Sequence, residues 1–491
     1  MRFLLDTNIL IPLENSRVVL EESLAHFVRL ANEHGHQLVY HPASEDDISR
    51  DTDLVRRGQT VERLKQYIRL QDRLACPWNN ANTNPNDRAD NEILYALKCE
   101  SAHALVTEDR GIHDKAKRYG LIDRVYTIQT ARDWLRRLHE KISVRLPNIE
   151  DRELSYLIPF LASDFFNSLR QAYDFDKWFR AKAREGKHAW VAWEAPNRIG
   201  ALCVYAQQTD ENITDDGIVL AGAALKLCTF KVAESIRGQK IGELFLKAAF
   251  RYATANRLEN IFIHGDEDQH HLLFELLEDF GFSRVGSHPG SNGRDAVYVK
   301  KHPIQTPPPT TLEPFEYSKS FFPHFRHDEA ISKYIVPIRP AYHEILFPDF
   351  ELPSGEQLNL FRNPNSAGNA IKLAYLCHAQ TKAMKPGDIV LFYRSADLQA
   401  LTTIGVVENY AGLSDATAIA TLVKRRTVYS MKEIEEMATK TTRVMLFRLI
   451  RHFSQPLQKD WLIANGILAD VPQSITKIKS ETFDKLLANA Q

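Results

Sequence analysis

Short apolar runs closed by polar residues recur through the first 140 positions. Phe3 to Ile11, FLLDTNILI, runs apolar into Asp6, Thr7 and Asn8 and then turns apolar again. Such a run predicts a strand buried on both faces, as in a parallel sheet. Glu21–Glu33 carries Leu24, Phe27, Val28 and Ala31 at helical spacing, and His36–Tyr40 reads as a second strand. Gln59–Arg73 reads as a charged amphipathic helix, Asn91–Cys99 as another, and Ala104–Thr107 as a strand ending in Glu108-Asp109-Arg110. The order β, α, β, α, α, β predicts a parallel sheet flanked by helices, with a ligand site beyond the carboxyl ends of its strands. Acids gather at those ends: Asp6, then Glu45, Asp46 and Asp47 behind Ser44, then Asp87 and Asp90, then Asp109. Each alone suits a helix cap or a helix dipole. Together they suit a hard divalent cation.

The pattern changes after residue 150. Arg152–Tyr173 and Asp176–Arg184 read as amphipathic helices, and Ala189–Ala192 and Ile199–Tyr205 as strands. Ala223–Val232, AALKLCTFKV, alternates as a strand does. Glu234–Gly242 follows with two glycines and opens a helix over Glu243–Asn256. Strand, glycine loop and helix start together make an anion site, because loop amides and the helix dipole both favour negative charge. Asn260–His264 reads as a strand, Leu272–Phe280 as a helix and Val297–Lys300 as a last strand. A proline-rich stretch, His302–Pro314, predicts an extended spacer. Beyond it, Lys333–Ile338, Lys372–Cys377, Ile389–Tyr393, Thr403–Val407, Ala418–Val423 and Val444–Leu449 read as short strands, and Met431–Thr439 and Phe483–Asn489 as helices. Mostly short strands at this spacing predict a small barrel or a curved sheet.

Composition adds limits. A chain of 491 residues exceeds one ordinary domain. A formal net charge of -1 gives no global basic field for nucleic acid. No apolar run approaches the roughly 18 residues of a membrane span. The five cysteines are scattered without a CxxC pair, which points to a reducing compartment and a cytoplasmic location.

LLDTNIL at Leu4–Leu10, an acid after the second strand, Asp90 opening a helix, and LVTEDRGI at Leu105–Ile112 resemble the PIN-domain nuclease family. The resemblance implies catalytic Asp6, Asp47, Asp90 and Asp109, with Asp6, Asp90 and Asp109 holding Mg²⁺ or Mn²⁺. Glu45 and Asp46 compete with Asp47, since the family often has Glu there. Thr7, Asn8 and Thr107 would orient the carboxylates. Domains of this family often dimerise. The middle segment, with RGQKIG at Arg237–Gly242 and EDFGF at Glu278–Phe282, resembles the GNAT acetyltransferases. That implies acetyl-coenzyme A, its pyrophosphate on the amides of Arg237, Gly238, Gln239, Lys240, Ile241 and Gly242 and its pantetheine arm along Phe230, Lys231 and Val232. The family often has glycine where Lys240 stands and a tyrosine general acid where Leu277 stands; leucine cannot serve as an acid. His270, His271, Asp266 and Glu267 are the groups near an acceptor amine. The last segment, with KPGDIVLFYRS, TTIGVVE, VKRRTVYS and PQSITKI, resembles PUA-like domains of the ASCH and EVE type. It implies RNA or nucleobase contacts from Tyr393, Arg394, Lys424, Arg425 and Arg426, against a plain role for the basic run as a guarded strand edge.

The expected architecture is a multidomain α/β chain. It has a parallel-sheet α/β/α nuclease-like domain over 1–140, an α+β acetyltransferase-like domain over 150–301, a linker over 302–329, and a mostly-β pseudo-barrel over 330–491. The leading expectation is a divalent-metal ribonuclease acting on tRNA or other structured RNA, in the manner of a toxin or defence enzyme. The alternatives are an N-acetyltransferase acting on a protein, nucleotide or aminoacyl-tRNA amine, and a non-enzymatic acetyl-coenzyme A sensor that binds RNA.

Overall fold

A computed structural model of the chain describes every residue except 11–17, 72, 80–83, 141–148, 238, 291–292, 309, 351–369 and 490–491. The chain forms two compact units, Met1–Lys141 with Tyr429–Lys432, and the remainder from Ile142. No helix among the described residues is long and apolar enough to cross a membrane.

The first unit is built on a five-stranded sheet in the order β3-β2-β1-β4-β5, where β1 is Arg2–Leu5, β2 Gln37–Tyr40, β3 Ile68–Arg69, β4 Ala104–Val106 and β5 Val125–Tyr126. Every pairing in it is parallel. Phe3, Leu4 and Leu5 have no exposure, as a central strand covered on both faces requires. Phe3 meets Phe27 and Trp134 edge-on at 5.3 and 5.5 Å on one face, while Leu4 joins the cluster of Ile93, Leu97 and Leu105 on the other. The strand order reverses between β1 and β4, so the carboxyl ends of those two strands bound the crevice where such sheets place ligands. Gln59–Arg73 is not one helix: the helix is Leu54–Leu64, and Ile68–Arg69 turns into the short edge strand β3.

The second unit opens on a seven-stranded sheet in the order β11-β12-β10-β9-β8-β7-β6. Its strands are β6 (Ile149–Glu153), β7 (His188–Ala195), β8 (Arg198–Asn212), β9 (Val219–Val232), β10 (Asn260–Gly265), β11 (Ser283–Gly290) and β12 (Gly293–Lys301). Helices Ile241–Ala255 and His271–Asp279 bury Phe245, Ala249, Phe274 and Leu277 against Leu225, Leu227, Ile261 and Ile263. Residues 152–173, read from sequence as helices, instead start in a strand and break into short helical turns around Pro159.

The C-terminal part is a six-stranded sheet in the order β14-β17-β16-β15-β13-β18, with β13 Lys333–Ile338, β14 Lys372–Cys377, β15 Ile389–Arg394, β16 Ala400–Leu413, β17 Thr442–Gln458 and β18 Thr476–Ile478. Long strands β16 and β17 carry several register shifts, which curve the sheet. Ala418–Val423 is a helix from Ala416 to Val423, not a strand; the Asp415 carboxylate caps it by accepting from the Ala418 amide at 2.7 Å. The proline-rich segment is docked, not a free spacer. Its helix Pro314–Phe321 buries Tyr317, and the ammonium of buried Lys300 donates to the carbonyls of Lys319 and Ser320.

Candidate functional site

Two places in the fold gather chemistry. The first lies in the second unit, where β9 and β10 part. Their parallel ladder runs from Ala224–Asn260 to Leu227–Ile263 and stops there. β9 continues to Val232 while still paired with β8 on its other edge, Cys203 opposite Phe230 and Ala201 opposite Val232. The edge that had faced β10 is thereby released over Cys228–Val232, and its backbone groups can pair with an extended ligand. A 3-10 turn at Glu234–Ile236 leads to Arg237, then to Gln239 and Lys240, and the helix Ile241–Ala255 begins. Gly238 lies outside the described residues.

Lys240 occupies the helix cap in the left-handed region, φ +60°, and makes no side-chain cap. That conformation explains why a glycine is common at this place: a Cβ there costs about 1–2 kcal/mol. The first amides of the helix have no intrahelical acceptor, so an anion at this end meets unsatisfied donors and the positive end of the dipole. Gly242 allows the helix to sit close, since a Cβ on it would lie 2.7 Å from the Leu276 side chain and 3.7 Å from the Phe230 ring. Two cations flank the loop. Arg237 is half-exposed beside Glu234 at 3.6 Å, and Lys231 reaches Ser168 over the Phe165 ring. Burial, then the charge of Arg237, pulls the Lys231 ammonium down to about 8.

Leu277, where the family often has a tyrosine, is fully buried in the core between the two helices. The acceptor-end groups expected from sequence have structural partners. Asp266 accepts from the amides of Asp268 and Gln269, and Glu267 accepts from the Tyr298 hydroxyl at 2.8 Å. His270 stands at the cap of the helix His271–Asp279, and burial lowers its imidazole. Sequence reading passed over His264, the β10 residue just beyond the end of the ladder, whose Nδ1 lies 2.9 Å from Asp295. Its signal was a histidine one residue before the end of the strand NIFIHG, out of phase with the apolar Ile261 and Ile263.

A model of the acetyltransferase (GNAT) family matches residues 155–282. Those residues span the parted strands, the Arg237–Gly242 loop and the helix behind it. Nothing among curated proteins matches. Three solved structures illustrate what parts of the chain are similar to. Arabidopsis thaliana NAA60 in complex with acetyl-CoA is 13% identical, with 31% of this chain and 98% of that one covered and a TM-score of 0.26. A phosphinothricin acetyltransferase from Sinorhizobium meliloti in complex with AcCoA is 13% identical, covering 34% and 96%, TM-score 0.25. ASCH from Zymomonas mobilis is 13% identical, covering 32% and 96%, TM-score 0.25.

The second place is the β1–β4 crevice of the first unit. Asp6 is buried, accepts from the Thr107 hydroxyl at 2.7 Å and from the Thr7 amide at 2.7 Å. Thr7 also donates to Asp47 at 3.1 Å, and Asn8 donates to the Thr107 hydroxyl at 3.2 Å. Glu45 and Asp46 turn to Arg69 and Arg73, which leaves Asp47 as the inward acid, paired with Arg50. Burial raises Asp6 to about 7 against the Thr107 hydrogen bond, helped by the charges of Asp90 and Asp109. The four expected carboxylates therefore share one electrostatic neighbourhood.

They do not form a divalent-ion site as they stand. Asp87 and Asp90 lie in the first turns of the helix Pro85–Lys98, where Lys115 donates to both at 2.8 Å; Asp109 caps the helix Arg110–Arg118. Among the described residues no three acidic, histidine or cysteine groups are close enough to hold a metal. The ammonium of Lys115 supplies the positive charge that a metal was expected to supply. Because Asp6 binds its proton far more tightly folded than unfolded, the native state holds the extra proton between about pH 4 and pH 7. Amide-exchange protection of β1 and β4 is expected to weaken as pH rises through that window, and Asp6→Asn to flatten the trend; a parallel trend in the variant contradicts it.

Three of the residues expected to touch RNA, Tyr393, Arg394 and Arg426, are not presented. Tyr393 has no exposure, and Arg394, 5% exposed, is held by Glu344 at 2.7 Å and by Asp397. Arg426 donates to Glu408 at 2.6 Å inside the second unit, and Lys424–Arg426 is a 3-10 turn, not a strand edge. The side chain of Arg425 lies outside the described residues. Burial behind carboxylates, invisible in a run of basic letters, is the reason.

Proposed function

We propose that the chain is an acetyl-coenzyme A-dependent N-acetyltransferase, with its site where β9 and β10 part. The observation that carries this reading is the released edge of β9 leading into the Lys240-capped helix, a slot for an extended arm ending at an anion site. The family match over residues 155–282 supports it. Phe230, Lys231 and Val232 offer backbone groups to the pantetheine arm. The amides from Gln239 to Gly242, with Arg237, face the pyrophosphate. When bound, the coenzyme supplies an acetyl thioester that an amine can attack. Release of coenzyme A thiol from acetyl-coenzyme A, stimulated by added primary amines, tests this; a wild-type chain that releases no thiol under any amine contradicts it.

A second reading assigns ribonuclease activity to residues 1–140, favoured by four carboxylates in one field with Asp6 held at about 7. It requires Lys115 to leave Asp90. Structured RNA incubated with the full chain, with and without Mg²⁺ or Mn²⁺, tests it: metal-dependent cleavage lost in Asp6→Asn supports it, and uncut RNA counts against it.

A further inference from the structure

His264 is the first β10 residue past the β9 ladder, and β12 still holds it, opposite Val297. Ile261 and Ile263 point into the core beneath the two helices. The alternation of a strand therefore sends Phe262 and His264 to the opposite face, where Phe262 packs with Ile213, Ala224 and Val297. His264 thus stands at the mouth of the parted strands, on the face away from the helix that carries the anion site.

It is also a built arrangement. Nδ1 lies 2.9 Å from Asp295 Oδ2 on β12, and the His288 ring from β11 stacks on His264 at 5.0 Å and 26°. Gly290 leaves room for the carboxylate, since a Cβ there would fall 2.2 Å from Asp295 Oδ1. A carboxylate on Nδ1 selects the tautomer with its proton on that nitrogen, which leaves the Nε2 lone pair free to accept one. Among the described residues Nε2 has no protein partner. The charged groups facing the ring are Asp295 from β12, Lys226 from β9 and His288 from β11; Lys226 itself is paired with Glu211 of β8 at 2.7 Å.

We propose that His264 is the proton acceptor for the amine nucleophile and that Asp295 is its positioning residue; this rests on the acetyl-transfer reading. An ammonium group gives one proton to Nε2. The freed nitrogen lone pair forms the C–N bond to the acetyl carbonyl as the C–S bond breaks with its electron pair on sulfur. The surplus proton on the acylated nitrogen passes to that sulfur, and His264 returns its proton to water. The products are an amide, a thiol and one proton, and no protein acid is needed at Leu277. Burial holds the imidazole below its ordinary range, with Asp295 restoring part of the loss, so the ring is unprotonated at neutral pH and its Nε2 can accept a proton.

The test uses the full chain with acetyl-coenzyme A and a panel of spermidine, glucosamine and a lysine peptide, and follows thiol release against pH alongside calorimetric coenzyme binding. His264→Asn is expected to lose about 100-fold in kcat/KM and the acidic limb of its pH profile, with coenzyme affinity within about twofold of wild type. Asp295→Asn is expected to move that limb to lower pH, because the imidazolium loses its carboxylate, and Lys226→Met to move it to higher pH. An acidic limb that persists in His264→Asn, or a loss under about threefold, overturns the proposal alone. A wild-type chain that fails to bind the coenzyme, or binds it without amine-dependent release, overturns the acetyl-transfer reading with it.

Discussion

Gly242→Glu should weaken acetyl-coenzyme A binding on the order of 1000-fold. The helix Ile241–Ala255 begins without a side-chain cap, so its first amides and its dipole are available to phosphate oxygens. A glutamate at 242 puts a like charge at that end, and two unit charges about 4 Å apart repel by about 4 kcal/mol at the effective dielectric of a protein surface. That energy corresponds to roughly three decades in affinity. The added side chain also meets Leu276, which stands 2.7 Å from the place of the new Cβ. Calorimetric titration of the full chain measures it, with Gly242→Ala as the control for bulk without charge. The alanine is expected to cost far less, since the atom it meets is the mobile end of a leucine. Equal losses in both variants, or none in the glutamate, contradict the account of the loop.

Arg448→Ala should destabilise the second unit by about 3–5 kcal/mol. Its side chain is 2% exposed and makes three charge-assisted contacts: with the Asp279 carbonyl at 2.7 Å, the Asp279 carboxylate at 2.8 Å and Glu408 at 3.3 Å. Asp279 ends the helix that carries Leu277, whereas Glu408 and Arg448 belong to β16 and β17, so this pairing bolts the C-terminal sheet to the acetyltransferase-like sheet. Lys372 adds to it by pairing with Asp279, and its backbone amide donates to Glu243 in the first turn of the anion-site helix. Burial alone would raise both carboxylates, but Lys372 and Arg448 hold Asp279 well below the usual range, and Arg426 and Arg448 hold Glu408 down to about 2. A carboxyl group depressed in the folded state contributes fully above its unfolded pKa and loses that contribution as pH falls from there through its folded pKa. The penalty of Arg448→Ala is therefore expected to be full at pH 7 and to shrink below about pH 4. Urea midpoints at the two pH values measure this; a pH-independent penalty contradicts it.

What sequence made legible follows from how far each signal reaches. Strands buried on both faces, such as Phe3–Leu5 and Ala104–Val106, announce themselves by their apolar runs, and Asp6 and Asp109 follow from where those runs stop. The Arg237–Gly242 loop was legible because glycines and a helix start are local features. The left-handed cap at Lys240 was not, since a lysine hides a conformation that glycine would have advertised. Ala418–Val423 failed as a strand because a short apolar run fits either period, and the deciding Asp415 cap lies outside it. Arg394 and Arg426 failed more seriously. A basic residue looks like a surface contact until long-range pairing shows its carboxylate, and Glu344 and Glu408 lie 50 and 18 positions away. The His264–Asp295 pair spans 31 positions and was invisible for the same reason.

The most direct measurement is the fate of the acetyl group itself. The full chain is incubated with acetyl-coenzyme A labelled in the acetyl carbonyl and with pooled primary amines, and the products are treated with hydroxylamine, which cleaves thioesters but not amides. Label is expected in hydroxylamine-stable amides with the wild-type chain and in none with Gly242→Glu. Label that stays entirely in the thioester with the wild-type chain contradicts it.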